Sequence, residues 1–394
     1  MIKFVFQNFN ALIVGSLLTV FLILVLRPLA IKTSFTDTPT ARKMHQGQIP
    51  LTGGISIFFA TCLTSVMLYE NLPRDTIAML VCAGLSLLLG TVDDKFDLTA
   101  FKKLTVQTLI ALTFIVSTGH VVTSLGSPIS FLGPVGLGVF SIPFTMFAIV
   151  GLQNAFNMVD GCDGLAASLV IISLLALMFS APAGWSGTTG QILLVLSFSI
   201  FVFLFFNFST SENQKAFLGD GGSLCLGFIV AVSLVEFSAS NTHYDPSVVL
   251  WFAAIPILDL CTVVARRKLL KRKIMAADRS HLHHLLMSWG LSHLQVTMLI
   301  FLAAAAFVPF GLFVASNHPN FSFWCFLSIP LLLRLNTTVF FEPRQSLQPM
   351  TCAWDSTKHL RPFCQFLLES TSPKYWKTSK RFLRENFLLK KKQI

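Results

Sequence analysis

With 394 residues, 54% of them hydrophobic and only 12% charged, the chain carries more apolar sequence than a soluble core needs; its composition is that of a multi-span membrane protein. The formal charge of +11 does not point to nucleic acid, because the basic residues sit in loops between apolar runs and not on a soluble face. The eight cysteines are scattered singly, several within apolar runs (Cys62, Cys82, Cys225, Cys261), with no CxxC pair, and they read as packing residues.

In chain order, Lys3 precedes an apolar run from about Phe9 to Leu26. That run is too long for a signal-peptide core and has no small-residue cleavage site, so it reads as an uncleaved first span. Segments of spanning length fall near 9–29, 50–69, 76–92, 104–119, 138–156, 164–182, 190–208, 222–240, 247–265, 294–315 and 320–338. The expected fold is an all-α polytopic integral membrane protein with about 11 transmembrane helices. In the last segment Arg334 would have to snorkel.

With alternating spans, the loops after odd-numbered spans and the C-terminal tail share one side. That side holds every one of the 29 Lys and Arg except Lys3 and Arg74, so by the positive-inside rule it is cytoplasmic and the N-terminus is outside. The loops on the other side are short and poor in chemistry, and Trp185, Trp251 and Trp324 lie at the outer span ends, where aromatic belts form. The expected domains are a multi-span body over residues 1–340 and a basic cytoplasmic tail over 341–394, drawn to anionic lipid.

The same parity gathers the polar clusters on the cytoplasmic face. Asp93-Asp94-Lys95-Phe96-Asp97 ends span three; on a helical ending Asp93 and Asp97 share a face, as a metal or proton-transfer site or as a solvated end with Lys95 as partner. After span five come Asn154, Asn157, Asp160 and Asp163, spaced every third residue, with Gly161 and Gly164 letting a ligand approach the backbone. Carboxylates near membrane depth must pair, reach water or hold an ion, and a capping loop explains one aspartate but not four polar groups.

Phe217-Leu-Gly-Asp220-Gly-Gly-Ser223 opens the next apolar run. A glycine-rich turn at a helix start presents free backbone N–H groups that suit a phosphate, and Asp220 can hold magnesium beside it; alone, the motif reads as readily as a loop with Ser223 as N-cap. Asp278 to His284 lies in the longest inner loop, where His281, His283, His284 and Arg279 suit an anionic ligand such as a diphosphate better than zinc. The basic run Arg266 to Lys273 before it reads as a positive-inside marker. Together the clusters fit magnesium-assisted phosphoryl transfer at a membrane surface.

The stretches DDKFDL at 93–98, NAFNMVDGCDGL at 154–165, FLGDGGS at 217–223 and HLHH at 281–284 resemble the polyprenyl-phosphate N-acetylhexosamine-1-phosphate transferases. His45-Gln46-Gly47, Ile49-Pro50-Leu51 and Gly53-Gly54 add to the likeness, which runs from about residue 9 to 335. It implies transfer of N-acetylglucosamine 1-phosphate from UDP-N-acetylglucosamine to undecaprenyl phosphate in the bacterial inner membrane, releasing UMP, with Mg2+ or Mn2+. The lipid-linked product would feed a cell-surface glycan such as O-antigen.

By motif position the resemblance makes Asp220 and Asn157 metal ligands, and Asp93, Asp94, Asp160 and Asp163 the catalytic carboxylates. It stacks Phe217 on uracil with Asp163 hydrogen-bonding the base, and sets Asp160 by the diphosphate. Asn154, Arg279, His281, His283 and His284 bind substrate. The HLHH form leans toward the N-acetylglucosaminyl branch over the peptidoglycan branch; Leu282 stands where isoleucine is usual, and the tail beyond about 340 is longer and more basic than the family pattern. Transfer from another UDP-N-acetylhexosamine, a lipid phosphatase and a proton-coupled secondary transporter are the alternatives. The resemblance leaves a homodimer open.

Overall fold

The computed structural model describes residues 2–37, 47–128, 133–180, 187–240, 244–271 and 281–340. His45, Gln46, Trp185, Arg279 and the basic tail from residue 341 lie outside the described residues.

The chain opens with α1 (Ile2–Gln7) and α2 (Phe9–Lys32), then an antiparallel ribbon of β1 (Thr36–Asp37) and β2 (Ile49–Pro50) in which Thr36 pairs with Pro50. There follow α3 (Gly53–Leu68), α4 (Arg74–Phe96), α5 (Ala100–Thr118), α6 (Ser141–Val159), α7 (Leu165–Ser180), α8 (Thr188–Asn207) and α9 (Gly219–Ser240). The remaining helices are α10 (Val248–Phe252), α11 (Ala254–Leu269), α12 (Leu282–Ser288), α13 (His293–Asn317) and α14 (Pro319–Phe340).

Each expected span falls on helix, and 7 helices among the described residues are long and apolar enough to cross a membrane. The protein is a multi-pass, helical membrane protein. The ninth expected segment, 247–265, is broken at Ala253, whose ψ of 34° leaves the helical region. Pro256 accounts for the break: its ring would collide with the carbonyl four residues back, at Phe252, if one helix ran through.

The axis of the bundle is α9, buried from Gly221 to Val235 without interruption. Its sequence is apolar all round because it has no lipid or water face to serve. It packs against α4, α6, α3 and α7, whereas α2, α4, α5 and α13 leave residues such as Leu24, Val81, Leu109 and Leu302 exposed, as a lipid-facing surface requires.

Close backbone approach sets the first turn of α9. A Cβ on Gly54 would lie 2.1 Å from the Gly222 Cα, and one on Gly90 would lie 2.4 Å from the Asp220 carbonyl oxygen, so α3 and α4 reach this turn only without side chains there. The segment before α9 is tied down as well. Phe217 N–H donates to the Pro50 carbonyl (2.9 Å), while Gly53 and Gly54 donate to the carbonyls of Phe217 (2.9 Å) and Leu218 (3.1 Å).

The aromatic-belt expectation is corrected at Trp251, which is 1% exposed. Its ring packs against Phe307, Phe310 and Phe326, and its indole N–H donates to Ser322 Oγ at 3.1 Å. A tryptophan at a span end becomes core once the broken helix turns it inward. Trp324 stays half exposed and donates to the Pro128 carbonyl at 2.7 Å.

Candidate active site

The C-terminal end of α4, the start of α5, the C-terminal end of α6 and the N-terminus of α9 meet at one end of the bundle. There the Asp94 carboxylate accepts the backbone N–H groups of Asp220 (3.0 Å) and Gly221 (3.2 Å). Two of the N–H groups of the glycine-rich turn are thus accepted by a side chain of α4, as carboxylates do at helix N-termini. The consequence is positional, since Asp94 pins Asp220 at the mouth of the site.

Asp93, one residue back, is buried. One of its oxygens accepts Leu98 N–H at 3.0 Å and the other pairs with the Lys103 ammonium. Lys103 also reaches Asp220 Oδ2 at 3.2 Å. The partner of the acidic end is therefore Lys103 and not Lys95, which lies over the Phe96 ring. Nor do Asp93 and Asp97 share a helical face, because Asp97 has left the helix in the left-handed region at φ 49°.

Asn157 donates from one amide nitrogen to Asp220 Oδ1 (3.0 Å) and Ser223 Oγ (2.9 Å). Asn154, three residues earlier, faces elsewhere. Its amide exchanges hydrogen bonds with the buried Gln107 (2.9 and 3.4 Å) and clamps α5 to α6. The every-third spacing thus sends Asn154 toward α5 and Asn157 toward the first turn of α9. Past Val159 the chain leaves the helix. Asp160 sits in that turn, and burial, followed by the fields of Asp220, Asp94 and Asp163, raises its carboxyl well above the usual range.

Asp163 pairs with the Lys215 ammonium at 2.6 Å, and that ammonium lies 5.4 Å from the centre of the Phe217 ring. The structure thus joins the expected pair Phe217 and Asp163 through a lysine. Gly164 takes φ +71°, which only glycine adopts freely, and donates to the buried Asn207 side chain at 2.5 Å, while Asn207 donates to the Ala216 carbonyl at 2.9 Å. These bonds fasten the turn to the segment that carries Phe217.

The histidines form a stack beside this turn. His281 and His283 lie nearly parallel with ring centres 5.8 Å apart, and His284 is 4.2 Å beyond His283. His283 presses on Gly161, where a Cβ would lie 2.1 Å from Nε2. His281 Nδ1 is 2.8 Å from Asp259 Oδ2, and the other Asp259 oxygen accepts Leu282 N–H at 2.8 Å. Asp259 therefore holds both the first histidine and the start of α12. Asp259→Ala is expected to lower stability by about 2 kcal/mol, read as a drop in the thermal-unfolding midpoint.

Burial, with the neighbouring His284, His281 and His293, lowers His283 to about 3. An unfolded imidazole protonates near pH 6.5, so between about 6.5 and 3 the unfolded state binds the extra proton and folded stability is lost as the pH falls. At pH 5 the loss from this residue is about 2 kcal/mol. In His283→Gln the unfolding midpoint should depend less steeply on pH between 6.5 and 5.

The donor set suits a hard divalent cation. Asp93, Asp94, Asp220 and Asn157 offer oxygens, and Asp93 and Asp220 already share one cationic group, the Lys103 ammonium. Among the described residues no three His, Cys, Asp or Glu side chains gather at ligand spacing, which disfavours a zinc cage. It fits magnesium, which uses one or two carboxylates and takes its other ligands from water and substrate phosphates. The Asn157 amide would have to turn to present its oxygen.

Lys103, Lys215, Gln107 and Asp259 are the site residues that sequence reasoning did not single out. Asp259 carried a signal, being a lone acid within an apolar run, and so did Gln107; the lysines were indistinguishable from positive-inside markers.

A profile described as glycosyl transferase family 4 matches residues 76–238. The chain is 34% identical over 317 residues to the undecaprenyl-phosphate alpha-N-acetylglucosaminyl 1-phosphate transferase of Yersinia pestis, covering 78% of this chain and 84% of the relative. It is 33% identical over 296 residues to the protein of that name in Escherichia coli (strain K12), covering 74% and 80%. A probable undecaprenyl-phosphate N-acetylglucosaminyl 1-phosphate transferase of Bacillus subtilis (strain 168) is 36% identical over 297 residues, covering 74% and 81%.

Proposed function

Since the chain belongs to glycosyl transferase family 4, with the undecaprenyl-phosphate N-acetylglucosaminyl 1-phosphate transferases among its relatives, we propose that it transfers N-acetylglucosamine 1-phosphate from UDP-N-acetylglucosamine to undecaprenyl phosphate. An oxygen of the lipid phosphate attacks the sugar-bearing phosphorus. The pyrophosphate P–O bond breaks, and UMP leaves with the bridging oxygen. The observation that carries this reading is the charge cluster in which Asp94 fixes Asp220 and Lys103 links Asp220 to Asp93.

The roles follow from what each group can do. Lys103 would dock the lipid phosphate, because its ammonium sits at the start of α5 and is only partly buried. A phosphate monoester is largely ionised near neutral pH and needs little base help, so Asp93, held by Leu98 N–H and Lys103, serves better as a positioning group than as a base. Mg2+ or Mn2+ at Asp220 and Asn157 would neutralise charge on the diphosphate. Phe217 and Asp163 would receive the uracil. A carboxyl raised as Asp160 is can keep a proton beside a diphosphate, and the histidine stack with Arg279 would flank the sugar phosphate.

The orientation we favour puts the site at the cytoplasmic face of a bacterial inner membrane, with about 11 crossings and the N-terminus outside. The basic loops support it, and so does the chemistry, because a soluble nucleotide and a membrane lipid must meet there. The product would enter lipid-linked surface glycan synthesis of the O-antigen type.

The test is product analysis with purified protein, UDP-N-acetylglucosamine, undecaprenyl phosphate and magnesium. Equal amounts of UMP and lipid-linked sugar support transfer. Free phosphate without UMP would mean a phosphatase, and uptake into liposomes with neither product a transporter. Running UDP-N-acetylgalactosamine alongside decides the sugar.

A further inference from the structure

Within α11 the one acidic residue is Asp259. Ile255, Asp259, Val263 and Arg267 recur every fourth residue and are all buried, so the carboxylate lies on the inward stripe of a helix that packs against α6 and α13. Its two oxygens go to the histidine segment: His281 Nδ1 is 2.8 Å from Oδ2, and Leu282 N–H donates to Oδ1 at 2.8 Å. A carboxylate offers only acceptors, so the proton of the first contact belongs to Nδ1.

That arrangement is more than a helix cap needs. Asparagine or serine would serve the Leu282 N–H as well, whereas a full carboxylate in a buried place is costly unless a cation pairs with it. The imidazole of His281, itself buried, becomes that cation on taking a second proton at Nε2. The pair is also joined to the site. The His281 ring lies nearly parallel to His283 at 5.8 Å, and His283 fills the space that a side chain at Gly161 would need. The stack is therefore pinned at both ends, by Asp259 and by the turn that carries Asp160 and Asp163.

We propose that Asp259 is a positioning residue of the transfer reaction: its bond to Nδ1 aims His281 so that Nε2 is the nitrogen offered to the sugar diphosphate, and its charge balances the imidazolium that donates there. The assignment rests on the transferase reading, which puts His281 against that anion. Without Asp259 the ring is free to turn over, and either nitrogen can hold the proton. With it, one orientation and one donor are fixed before substrate arrives, and the bond to phosphate is charge-assisted. A buried aspartate behind a working imidazole acts in the same way in acyl-transfer triads, where it sets tautomer and orientation without itself taking up a proton.

The test uses full-length protein in nanodiscs with UDP-N-acetylglucosamine, undecaprenyl phosphate and magnesium. In Asp259→Asn the amide oxygen still accepts the Leu282 N–H, while the amide nitrogen donates to His281 Nδ1 and leaves the proton on Nε2 of a neutral ring. The kcat for UMP release should fall about a hundredfold, with the KM for undecaprenyl phosphate within about twofold of wild type. Because Asp259 works through His281, adding Asp259→Asn to a His281→Gln protein should slow it by no more than about threefold further. An Asp259→Asn protein with wild-type kcat would overturn the proposal. So would a second hundredfold loss on top of His281→Gln, which is what an independent tie between helices gives.

Nitrogen NMR of protein carrying isotope-labelled histidine reads the ring directly and does not depend on turnover. The His281 signals, assigned as those lost in His281→Gln, should show a proton on Nδ1 in wild type and none there in Asp259→Asn. In wild type the Nε2 signal should move when UDP-N-acetylglucosamine is added to saturation. A bare Nδ1 in wild type, or an Nε2 that ignores the nucleotide sugar while the enzyme turns it over, overturns the proposal. Wild-type protein that makes no lipid-linked sugar would fail the transferase reading instead, and the Nδ1 signal still decides whether Asp259 sets the tautomer of His281.

Discussion

Asp220→Asn is expected to reduce UMP release by about a thousandfold while leaving the protein folded. Asparagine keeps the size of the side chain and can still accept from Asn157, so the first turn of α9 should hold: its cap comes from Asp94 and its packing from Gly54 and Gly90. What the change removes is charge. Asp220 is the carboxylate of this cluster that keeps substantial exposure, with 40% of its side chain open against 7% for Asp93, and so it is the one placed to meet a ligand from outside. If the unfolding midpoint stays within a few degrees of wild type and UMP release does not fall, Asp220 is not part of the chemistry. If both collapse together, Asp220→Glu separates the cases, since it restores the charge at a displaced position.

The spans were legible in the sequence because a bilayer imposes one crude requirement, about 20 apolar residues in a row. That rule places helices but is blind to interruptions inside an apolar stretch. The break at Ala253 was signalled only by Pro256, and with it went the inward turn of Trp251. The acidic residues of the site were legible by the same logic, as groups too costly to leave near membrane depth without a purpose.

Their partners were not. Lys103 and Asp220 lie 117 residues apart, and Asp94 and the Asp220 N–H 126 apart, so no local spacing announces either contact. The glycine-rich turn shows the cost of this blindness. Read locally, it offers N–H groups to a phosphate; in the fold, a carboxylate from another helix accepts two of them. Asn154 has a partner that its regular polar pattern did not announce, Gln107, a buried polar side chain of α5.

Lys103→Met should slow transfer by about a hundredfold and, in the same protein, tighten the binding of Mn2+ by about tenfold. The two effects run in opposite directions because Lys103 and a divalent cation draw on the same carboxylates. The ammonium pairs with Asp93 and reaches Asp220 Oδ2 at 3.2 Å. Two unit charges about 4 Å apart interact by about 4 kcal/mol at an effective dielectric of 20, and the exposure of Asp220 screens this to about 1–2 kcal/mol, a factor near ten in affinity. Methionine keeps a long unbranched side chain and removes the ammonium, so the change isolates the charge. Manganese titrated by electron paramagnetic resonance reads the affinity directly, whether or not the enzyme turns over. Weaker manganese binding together with slower transfer would mean that Lys103 shapes the metal site and does not compete for it. A lowered unfolding midpoint with both functions unchanged would reduce it to a tie between two helices.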